Sequence, residues 1–451
     1  MSDAVPVSST ADGVLSPRYR ALTIGLVVLV AVRAFEVLAV STAMPAVAAD
    51  LDGLSLYALG FAAPLASGIV GMTLAGERCD ARGPADTVWL GLAIFLTGVI
   101  GAGLAPSMGA FVAARTLQGL GGGAITVALY VVVAKAYPER LRPRVFAAAS
   151  AGWVVPSMVG PTISGVMVQT LGWRWVFVLV PLLALPAAWM VRPTLRGLHS
   201  ASTRPKPKAH IRVGWACLGA AGVLVLGLAG HHGHYVWLLP AVIAVIVAAH
   251  FLLPPGTLRW RRGLPSVVVV RGMLAASFLG SDVFVPLLLV RERDWTPTLA
   301  GVALTVGALG WSAGSWWQGR HSHDGSRLRL IRVGMALVGL GLVLVPLVLI
   351  HAVPGFIAVL AWAVGGTGMG LAYPSLSVAL LALSPPAQHG EHSAALELAE
   401  ALAIATLLAI TGGWFAAWFA TQPMLAFAGC FALPAVMVML TMCLSGRVRP
   451  V

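Results

Sequence analysis

The sequence predicts an all-α polytopic membrane protein, from its composition and from its recurring apolar runs. Of its 451 residues, 59% are hydrophobic and only 10% are charged, and the mean hydropathy is +0.90. A soluble domain of this size needs more polar residues to cover its surface. Many of the apolar runs reach the roughly 20 residues that cross a hydrocarbon core of about 30 Å. The polar N-terminus has neither a basic n-region nor a cleavage pattern, so we expect no removable signal peptide.

Apolar runs and the breakers between them predict fourteen membrane spans. Six come first, at 20–45, 55–76, 86–105, 107–134, 145–170 and 174–191, two more follow at 213–230 and 235–253, and the last six lie at 265–290, 297–318, 329–350, 354–382, 393–420 and 423–445. The seventh and eighth are the shortest. If these two form a hairpin that does not cross the membrane, the count is twelve.

The placement of the basic residues predicts the orientation. The net charge is +13, which by itself would also suit a nucleic-acid partner. With the N-terminus inside, however, 23 of the 29 lysines and arginines fall in cytoplasmic loops and tails. The other six are Arg33, Arg115 and Arg271 within spans and Arg174, Arg291 and Arg293 at the outer side. This is the positive-inside bias of a cell-membrane protein with both termini in the cytoplasm, so no nucleic-acid partner is expected.

A basic linker, VRPTLRGLHSASTRPKPKAHIR, divides the spans into six, two and six. It can serve as a plain topogenic linker or contact anionic lipid. The predicted domains are a cytoplasmic tail (1–19), a first six-helix bundle (20–191), the linker with two extra helices (192–264), a second six-helix bundle (265–445) and a cytoplasmic tail (446–451).

Two motifs in the first half contain small residues at regular places. In span four, RTLQGLGGGAITV presents Arg115, Gln118, Gly119 and Gly121 as Arg-x-x-Gln-Gly-x-Gly. In span five, GWVVPSMVGPTISG contains a Gly-Pro-x-x-x-Gly series, whose members are Gly160, Pro161 and Gly165. Small residues allow helices to approach closely, and a proline bends a helix, so span five can act as a pivot between two half-bundles.

These segments resemble motifs of the major facilitator superfamily, and the fourteen-span plan is similar to that of its drug:proton antiporter branch. The resemblance implies the major facilitator fold, in which two six-helix bundles alternate access to a central site. It also implies the proton gradient as energy source, without a cofactor. The motif in span five is a mark of exporters within this family.

The loop after span two, GERCDARGPAD, resembles the loop signature of the same family at Gly76, Asp80 and Gly83. The resemblance implies that the Asp80 carboxylate accepts hydrogen bonds from the N-terminal amides of a neighbouring helix and holds an inner gate shut. An ordinary tight loop is the alternative. The family's basic positions are poorly matched, since Pro84 and Ala85 stand where cations are usual.

Glu36 is an acid in the middle of span one, where a charge costs at least about 2.5–3.5 kcal/mol. It lies nine residues before Pro45, the spacing of the acid in the family's first-helix pattern. Counted along the helices, Glu36 and Arg115 lie at a similar depth, and Arg33 shares the helical face of Glu36. Because burial disfavours ionisation and a nearby cation favours it, such an acid can carry a proton. A fixed ion pair that locks two helices is the alternative.

The second half offers three further acids. Asp282 in span nine is either a coupling or substrate-facing group or the partner of Arg271. Glu397 and Glu400 lie three residues apart near the inner end of span thirteen, and we expect a solvated pair there. The loop GRHSHDGSRLRLIR, with Asp324, corresponds in place to the first gate and suggests a diverged six-helix repeat.

The histidines and cysteines suggest no metal or disulfide framework. His231, His232 and His234 fall in a short outer loop without an acid or cysteine, so we expect no metal site. The four cysteines lack metal-ligand spacing and are expected to be small packing residues.

The leading hypothesis is therefore a proton-coupled antiporter that exports hydrophobic or amphipathic, drug-like compounds. A proton-coupled exporter of a lipid or glycolipid on the same fold is the alternative, and an uptake symporter or a membrane-embedded enzyme is more remote. We expect no enzymatic activity. The expected partners are the substrate, protons and membrane lipids, and the expected state is a monomer.

Overall fold

The computed structural model of the chain describes residues 13–138, 140–195, 209–232, 235–321, 327–385 and 388–448. Within these ranges the chain is helical and contains no strand. All fourteen predicted spans coincide with helical segments.

Seven α-helices lie in the described part of the first half, because the fifth span is divided. They are α1 (Arg20–Asp50), α2 (Leu59–Arg82), α3 (Pro84–Gly103), α4 (Met108–Ala136), α5 (Arg142–Ala151), α6 (Val154–Thr170) and α7 (Arg174–Leu195). The break between α5 and α6 has a local cause. Pro156 has no backbone N–H, so the carbonyl of Gly152 loses its helical partner at this point.

The described residues after α7 form nine further α-helices, and here the ninth span is divided. They are α8 (Ala209–His232), α9 (Leu238–Leu252), α10 (Leu264–Asp282), α11 (Phe284–Arg293), α12 (Pro297–His321), α13 (Arg327–Leu344), α14 (Phe356–Leu383), α15 (His389–Trp418) and α16 (Pro423–Leu444). Pro286 leaves the Asp282 carbonyl without its helical donor, which ends α10 at that residue.

Eleven helical stretches within the described residues are long and apolar enough to cross a membrane. Helix α9 is shorter, at 15 residues, and the interrupted α5–α6 segment and the less apolar α12 also fall outside this count. Helix α8, in contrast, meets the requirement, so at least one helix of the insertion has the length and composition of a span.

The two halves repeat one packing arrangement. In the first, α4 packs against α2 and α3, and in the second, α14 packs against α12 and α13. Glycines allow these close approaches, since a Cβ on Gly119 would lie 2.1 Å from the carbonyl oxygen of Pro64, and one on Gly366 would lie 2.0 Å from that of Gly307. The correspondence of three consecutive spans in each half is the internal repeat that this architecture requires.

The halves meet along two seams, formed by α6 with α12 and by α2 with α15. Helix α8 packs against α9, α2 and α15, so the insertion contacts both halves at the second seam. Between the halves, Tyr57 donates a hydrogen bond to the Val283 carbonyl at 2.6 Å, and Thr298 donates one to Gln169 at 2.6 Å. These contacts lie toward the end of the molecule at which α1 finishes.

Candidate functional site

The acid of α1 lies in a cluster of charged side chains. Glu36 is 1% exposed, and its two carboxylate oxygens accept hydrogen bonds from different arginines. Arg115 of α4 donates to Oε1, and Arg33 donates to Oε2 from Nη1 at 3.0 Å. The structure thus brings together the three charged residues that the sequence placed at a similar depth.

Arg115 is held by more than its ion pair. Its Nη1 also donates to the Gln118 side-chain oxygen at 2.7 Å, and its Nε donates to the Gly60 carbonyl on α2 at 3.3 Å. The guanidinium is therefore fixed between α1, α2 and its own helix. Such anchoring suits a structural role as well as a coupling role.

Arg33 approaches the face of α4 where a side chain is absent. A Cβ on Gly122 would lie 2.9 Å from the Arg33 Cζ, so this glycine leaves room for the guanidinium. Arg33 also lies over the ring of Phe95 on α3, 5.0 Å from its centroid. Its side chain is 29% exposed, whereas that of Arg115 is 5% exposed.

The glycines of the span-four motif place α4 against its neighbours. A Cβ on Gly121 would lie 2.3 Å from the Phe95 backbone nitrogen, and one on Gly119 would meet α2. The motif therefore sets the separation of three helices and, with it, the position of Arg115.

The span-five motif lies at the seam between the halves. A Cβ on Gly165 would lie 2.6 Å from the Thr298 Cα on α12, and one on Gly301 would lie 2.5 Å from the Pro161 carbonyl oxygen. Gly160 is less restricted, because a Cβ there would make only an ordinary contact with Phe35. The smooth face predicted for this helix thus packs directly against the other half.

The loop between α2 and α3 contains the remaining motif. Gly83 connects the two helices with a φ of +93°, a conformation that favours glycine. Across this loop Arg78 forms a 2.6 Å ion pair with Asp86. Asp80 is exposed in the last turn of α2, and Gly76 lies one turn earlier. The gating role of Gly76, Asp80 and Gly83 remains a prediction.

The structure corrects one alternative for Asp282. This carboxylate does not pair with Arg271, because the two are separated by eleven residues of α10, about 16 Å along the helix. Asp282 instead accepts a hydrogen bond from the Trp362 indole of α14 at 2.9 Å. It lies at the break between α10 and α11, next to the Val283 carbonyl that Tyr57 of the first half contacts.

Arg271 belongs to a second charged cluster, which corrects the prediction of a solvated Glu397–Glu400 pair. Its Nε donates to Glu400 Oε2 at 3.2 Å, and both side chains are largely buried. Tyr373 of α14 donates to the same carboxylate at 2.8 Å, and its ring lies 3.4 Å from the Arg271 Cζ. Glu397 is half-buried and has no hydrogen-bond or ion-pair partner within the described part of the chain.

Aromatic rings connect Asp282 to this second cluster. Trp362 stacks on Phe278 with centroids 4.4 Å apart, Phe278 meets Trp311 at 6.0 Å, and Trp311 meets Tyr373 at 5.3 Å. Sequence reasoning missed Trp362 and Tyr373. A signal was present, because an indole N–H or phenol within an apolar helix needs a hydrogen-bond partner, and buried acids supply one.

Some predicted residues fall where nothing can be assigned. Asp324 and His234 lie outside the described residues, and the side chains of His231 and His232 are likewise undescribed.

The four cysteines are all free. Cys79 and Cys430 are buried, while Cys217 and Cys443 are exposed.

Comparison with known proteins identifies the family. The sequence profile of the Major Facilitator Superfamily matches residues 26–348. The chain belongs to the major facilitator superfamily. It is therefore a multi-pass membrane transporter rather than an enzyme, and the predicted family and all-α fold class are confirmed.

Two relatives of this transporter are named for multidrug efflux or multidrug resistance. A probable multidrug-efflux transporter of Mycobacterium tuberculosis is 29% identical over 382 residues, which cover 79% of each chain. Multidrug resistance protein 3 of Bacillus subtilis is 24% identical over 340 residues, covering 72% of this chain and 65% of that protein.

Solved structures of superfamily members share the fold. A D-xylose–proton symporter has a TM-score of 0.66 at 15% identity, covering 94% of this chain and 97% of that one. A POT family transporter has a TM-score of 0.68 at 16% identity, with 95% and 97% coverage. At these identities the likeness concerns the fold alone.

Proposed function

We propose that this superfamily member is a proton-coupled antiporter that exports hydrophobic or amphipathic compounds. The observation that carries the proposal is Glu36, an acid that is buried within the apolar helix α1 and paired with arginines from two helices. The name of the mycobacterial relative, a probable multidrug-efflux transporter, favours export, and the multidrug-resistance name of the Bacillus relative is compatible with it. An exporter of a lipid or glycolipid on the same fold is a second candidate, since neither the charges nor the relatives separate it from a drug exporter.

Proton coupling requires that Glu36 exchange partners during the cycle. In the conformation described here the carboxylate is an ion pair, which favours its charged form. A movement of α1 relative to α4 that withdraws Arg115 leaves a carboxylate in an apolar site, where binding a proton removes the cost of burying its charge. Proton binding to Glu36 is then coupled to the movement that changes which side of the membrane the site faces.

The conformation suits access from one side. With the N-terminus in the cytoplasm, the contacts Tyr57–Val283 and Thr298–Gln169 lie toward the outer side and join the two halves there. Tyr130 and Phe146, in the inner parts of α4 and α5, are 48% and 36% exposed. In this proposal the substrate therefore enters from the cytoplasm or the inner leaflet.

The α6–α12 seam and the α2–α3 loop are the proposed moving parts. Gly165 and Gly301 leave no side chains to interlock at the seam, so the halves can rock against each other around Pro161. Gly76, Asp80 and Gly83 lie at the inner end of α2, where closing the inner side would bring them against neighbouring helices. Asp282, at the break of α10, is the candidate for a second coupling acid.

The same proposal places the protein in the cell membrane as a monomer, with both termini in the cytoplasm. The charge distribution supports this orientation. The substrate, protons and membrane lipids are its partners.

Transport by purified protein in sealed vesicles tests the proposal. An imposed pH gradient should drive accumulation of amphipathic dyes, and collapsing the gradient with a protonophore should stop it. Fluorescent lipids measured in parallel separate the two substrate candidates. The Glu36→Gln variant is the matched control, and gradient-independent transport by the unaltered protein would refute proton coupling.

A further inference from the structure

The stretch of sequence that contains the insertion carries positive charge and no acid. Between Glu139 and Asp282 the chain has no aspartate or glutamate, and residues 192–262 include nine lysines and arginines. Three of these, Arg259, Arg261 and Arg262, lie in the loop between α9 and α10 and are exposed. Within the described residues, none of their guanidinium groups forms an ion pair or a hydrogen bond. This loop therefore concentrates positive charge that the part of the chain described by the structure does not compensate.

Backbone hydrogen bonds give the α9–α10 loop a fixed shape. The amides of Arg259 and Arg261 both donate to the Gly256 carbonyl at 3.2 Å. Gly256 has a φ of +88°, a conformation that favours glycine. Ser266, near the start of α10, donates to the Arg261 carbonyl at 2.6 Å. Because the loop is held in this way, the backbone of both arginines is positioned before any ligand binds, which lowers the entropy cost of binding.

A cavity lies between this loop and the last turn of α9. Its volume is about 180 Å³, more than ten times the roughly 10–15 Å³ that one water molecule requires. His250, Arg259 and Arg261 line it, together with the apolar side chains of Pro254 and Leu258. The cavity thus joins two guanidinium groups to an apolar wall, a combination that suits an anion attached to an apolar group.

An exposed apolar face of α9 leads to the cavity. Leu239, Ile243 and Ile246 are each more than half exposed and lie four and three residues apart, a spacing that places them on one face. His250, which lines the cavity, continues the series four residues later. The helical rise from Leu239 to His250 is about 16 Å, roughly half of a hydrocarbon core of about 30 Å. The face therefore has the length of one leaflet.

We propose that this cavity binds the phosphate of an anionic phospholipid in the cytoplasmic leaflet, whose acyl chains lie along the exposed face of α9. With the N-terminus in the cytoplasm, α9 ends on that side. The phosphate oxygens accept hydrogen bonds from the guanidinium groups of Arg259 and Arg261. A zwitterionic headgroup brings a cation next to arginines that have no acid beside them, so it gains less. The proposal goes beyond the transport function, because this lipid is a bound component and not the substrate.

A lipid at this place would stabilise the insertion. Helix α9 packs against α8, and α8 contacts α2 and α15 of the two halves. A Cβ on Gly227 of α8 would lie 2.9 Å from the Leu59 side chain on α2 and 3.8 Å from that of Ala409 on α15. Helix α8 therefore covers the second seam, and a lipid that holds α9 in place supports this cover. We expect the bound lipid to raise the thermal midpoint of the protein.

Competition binding tests the class of ligand. A phosphatidylglycerol with a fluorescent acyl chain is bound to the detergent-solubilised protein at constant ionic strength, and unlabelled competitors displace it. We expect phosphatidylglycerol to displace the probe at a concentration about tenfold lower than phosphatidylcholine with the same chains, a tenfold ratio of affinities. Inorganic phosphate should not displace it over the same range, because the acyl chains contribute to binding. Equal displacement by the two lipids would overturn the proposal, and so would inorganic phosphate that competes as well as the lipid.

Variants in the loop assign the site. Arg259→Gln and Arg261→Gln should each weaken phosphatidylglycerol about fivefold and leave phosphatidylcholine unchanged, since each removes one cation near the headgroup. Arg259→Lys and Arg261→Lys keep the charge and should lose less affinity. The matched control is Arg20→Gln, which removes an exposed arginine at the start of α1 in the other half. A double Arg259→Gln, Arg261→Gln variant that retains the preference for phosphatidylglycerol contradicts the proposal.

The thermal midpoint gives a readout that does not depend on the fluorescent probe. Phosphatidylglycerol should raise the midpoint more than phosphatidylcholine in the unaltered protein and in Arg20→Gln, and no more than phosphatidylcholine in the double variant. An undiminished preference in the double variant would place the lipid elsewhere on the protein and reject this site. Neither measurement involves a pH gradient, so the result is independent of whether transport is coupled to protons.

Discussion

Arg115 on α4 donates a hydrogen bond to the Glu36 carboxylate on α1, and both side chains are almost fully buried in the first half of the molecule. An ion pair at this depth can lock two helices or serve as a switch. A structural lock and a proton switch both predict this contact. Substituting Glu36 or Arg115 distinguishes the two roles.

Replacing Glu36 by Gln removes the titration and keeps the shape of the side chain. We expect gradient-driven transport to fall at least tenfold, while the yield of monodisperse protein stays close to that of the unaltered protein. Transport in vesicles and size-exclusion chromatography measure the two. Unchanged gradient-driven transport in Glu36→Gln would exclude Glu36 as the proton carrier. The Glu36–Arg115 ion pair would then be a structural link between α1 and α4.

The partner of the acid is tested with Arg115→Lys and Arg115→Ala. Without the guanidinium the carboxylate loses a cation that favours its charged form, so the pH profile of transport should move to higher pH in the alanine variant. Lysine keeps the charge but cannot reach Glu36, Gln118 and the Gly60 carbonyl with one planar group, so we expect an intermediate loss of rate. Three overlaid pH profiles with only a lower maximal rate would make Arg115 a structural residue.

The seam between the halves is tested by adding one methyl group. In Gly165→Ala the new Cβ would lie 2.6 Å from the Thr298 Cα, so α6 or α12 must move. Overpacking of this kind costs about 1–3 kcal/mol. We expect a lower thermal midpoint and slower transport. Gly109→Ala is the control, because a Cβ there has nothing within 4 Å, and a rate equal to that of this control would argue against movement at the seam.

Orientation is tested by labelling single cysteines in a background without the four native ones. Cysteines at His232, where α8 ends, and at Thr296, just before α12, should react with an impermeant reagent in intact cells. A cysteine at Lys206 in the basic linker should react only after permeabilisation. Labelling of position 206 from outside would reverse the orientation. An unreactive position 232 would mean that α8 and α9 do not span.

The sequence was sufficient to place Glu36 beside Arg115 because helices are rods of known rise. Residues on different spans can be assigned a depth by counting about 1.5 Å per residue from the loops. Depth does not tell which helices are neighbours. For that reason, Arg33 and Arg115 both remained candidate partners, and the structure shows that Glu36 contacts both.

The errors in the second half have two causes. Arg271 and Asp282 share a helix, but counting about 1.5 Å per residue already places them at different depths, so the sequence itself argued against that pair. The partner of Arg271, Glu400, lies on α15, and only the packing of α10 against α15 brings the two together. Prolines alone do not predict the broken spans, because Pro45 and Pro64 lie inside helices that stay continuous, whereas the breaks occur near Pro156 and Pro286.

The Arg271–Glu400 pair yields a prediction about stability. Both side chains are largely buried, so removing one partner leaves a charge without compensation, which costs about 3–5 kcal/mol. Arg271→Gln and Glu400→Gln should each lower the thermal midpoint of the detergent-solubilised protein. The double variant buries no unpaired charge at these two positions. Its loss of stability should therefore be smaller than the sum of the losses of the two single variants. Tyr373→Phe, which removes only the hydrogen bond to Glu400, should cost about 1–3 kcal/mol. A double variant whose loss equals the sum of the single losses would show that the two residues do not interact, since independent sites add.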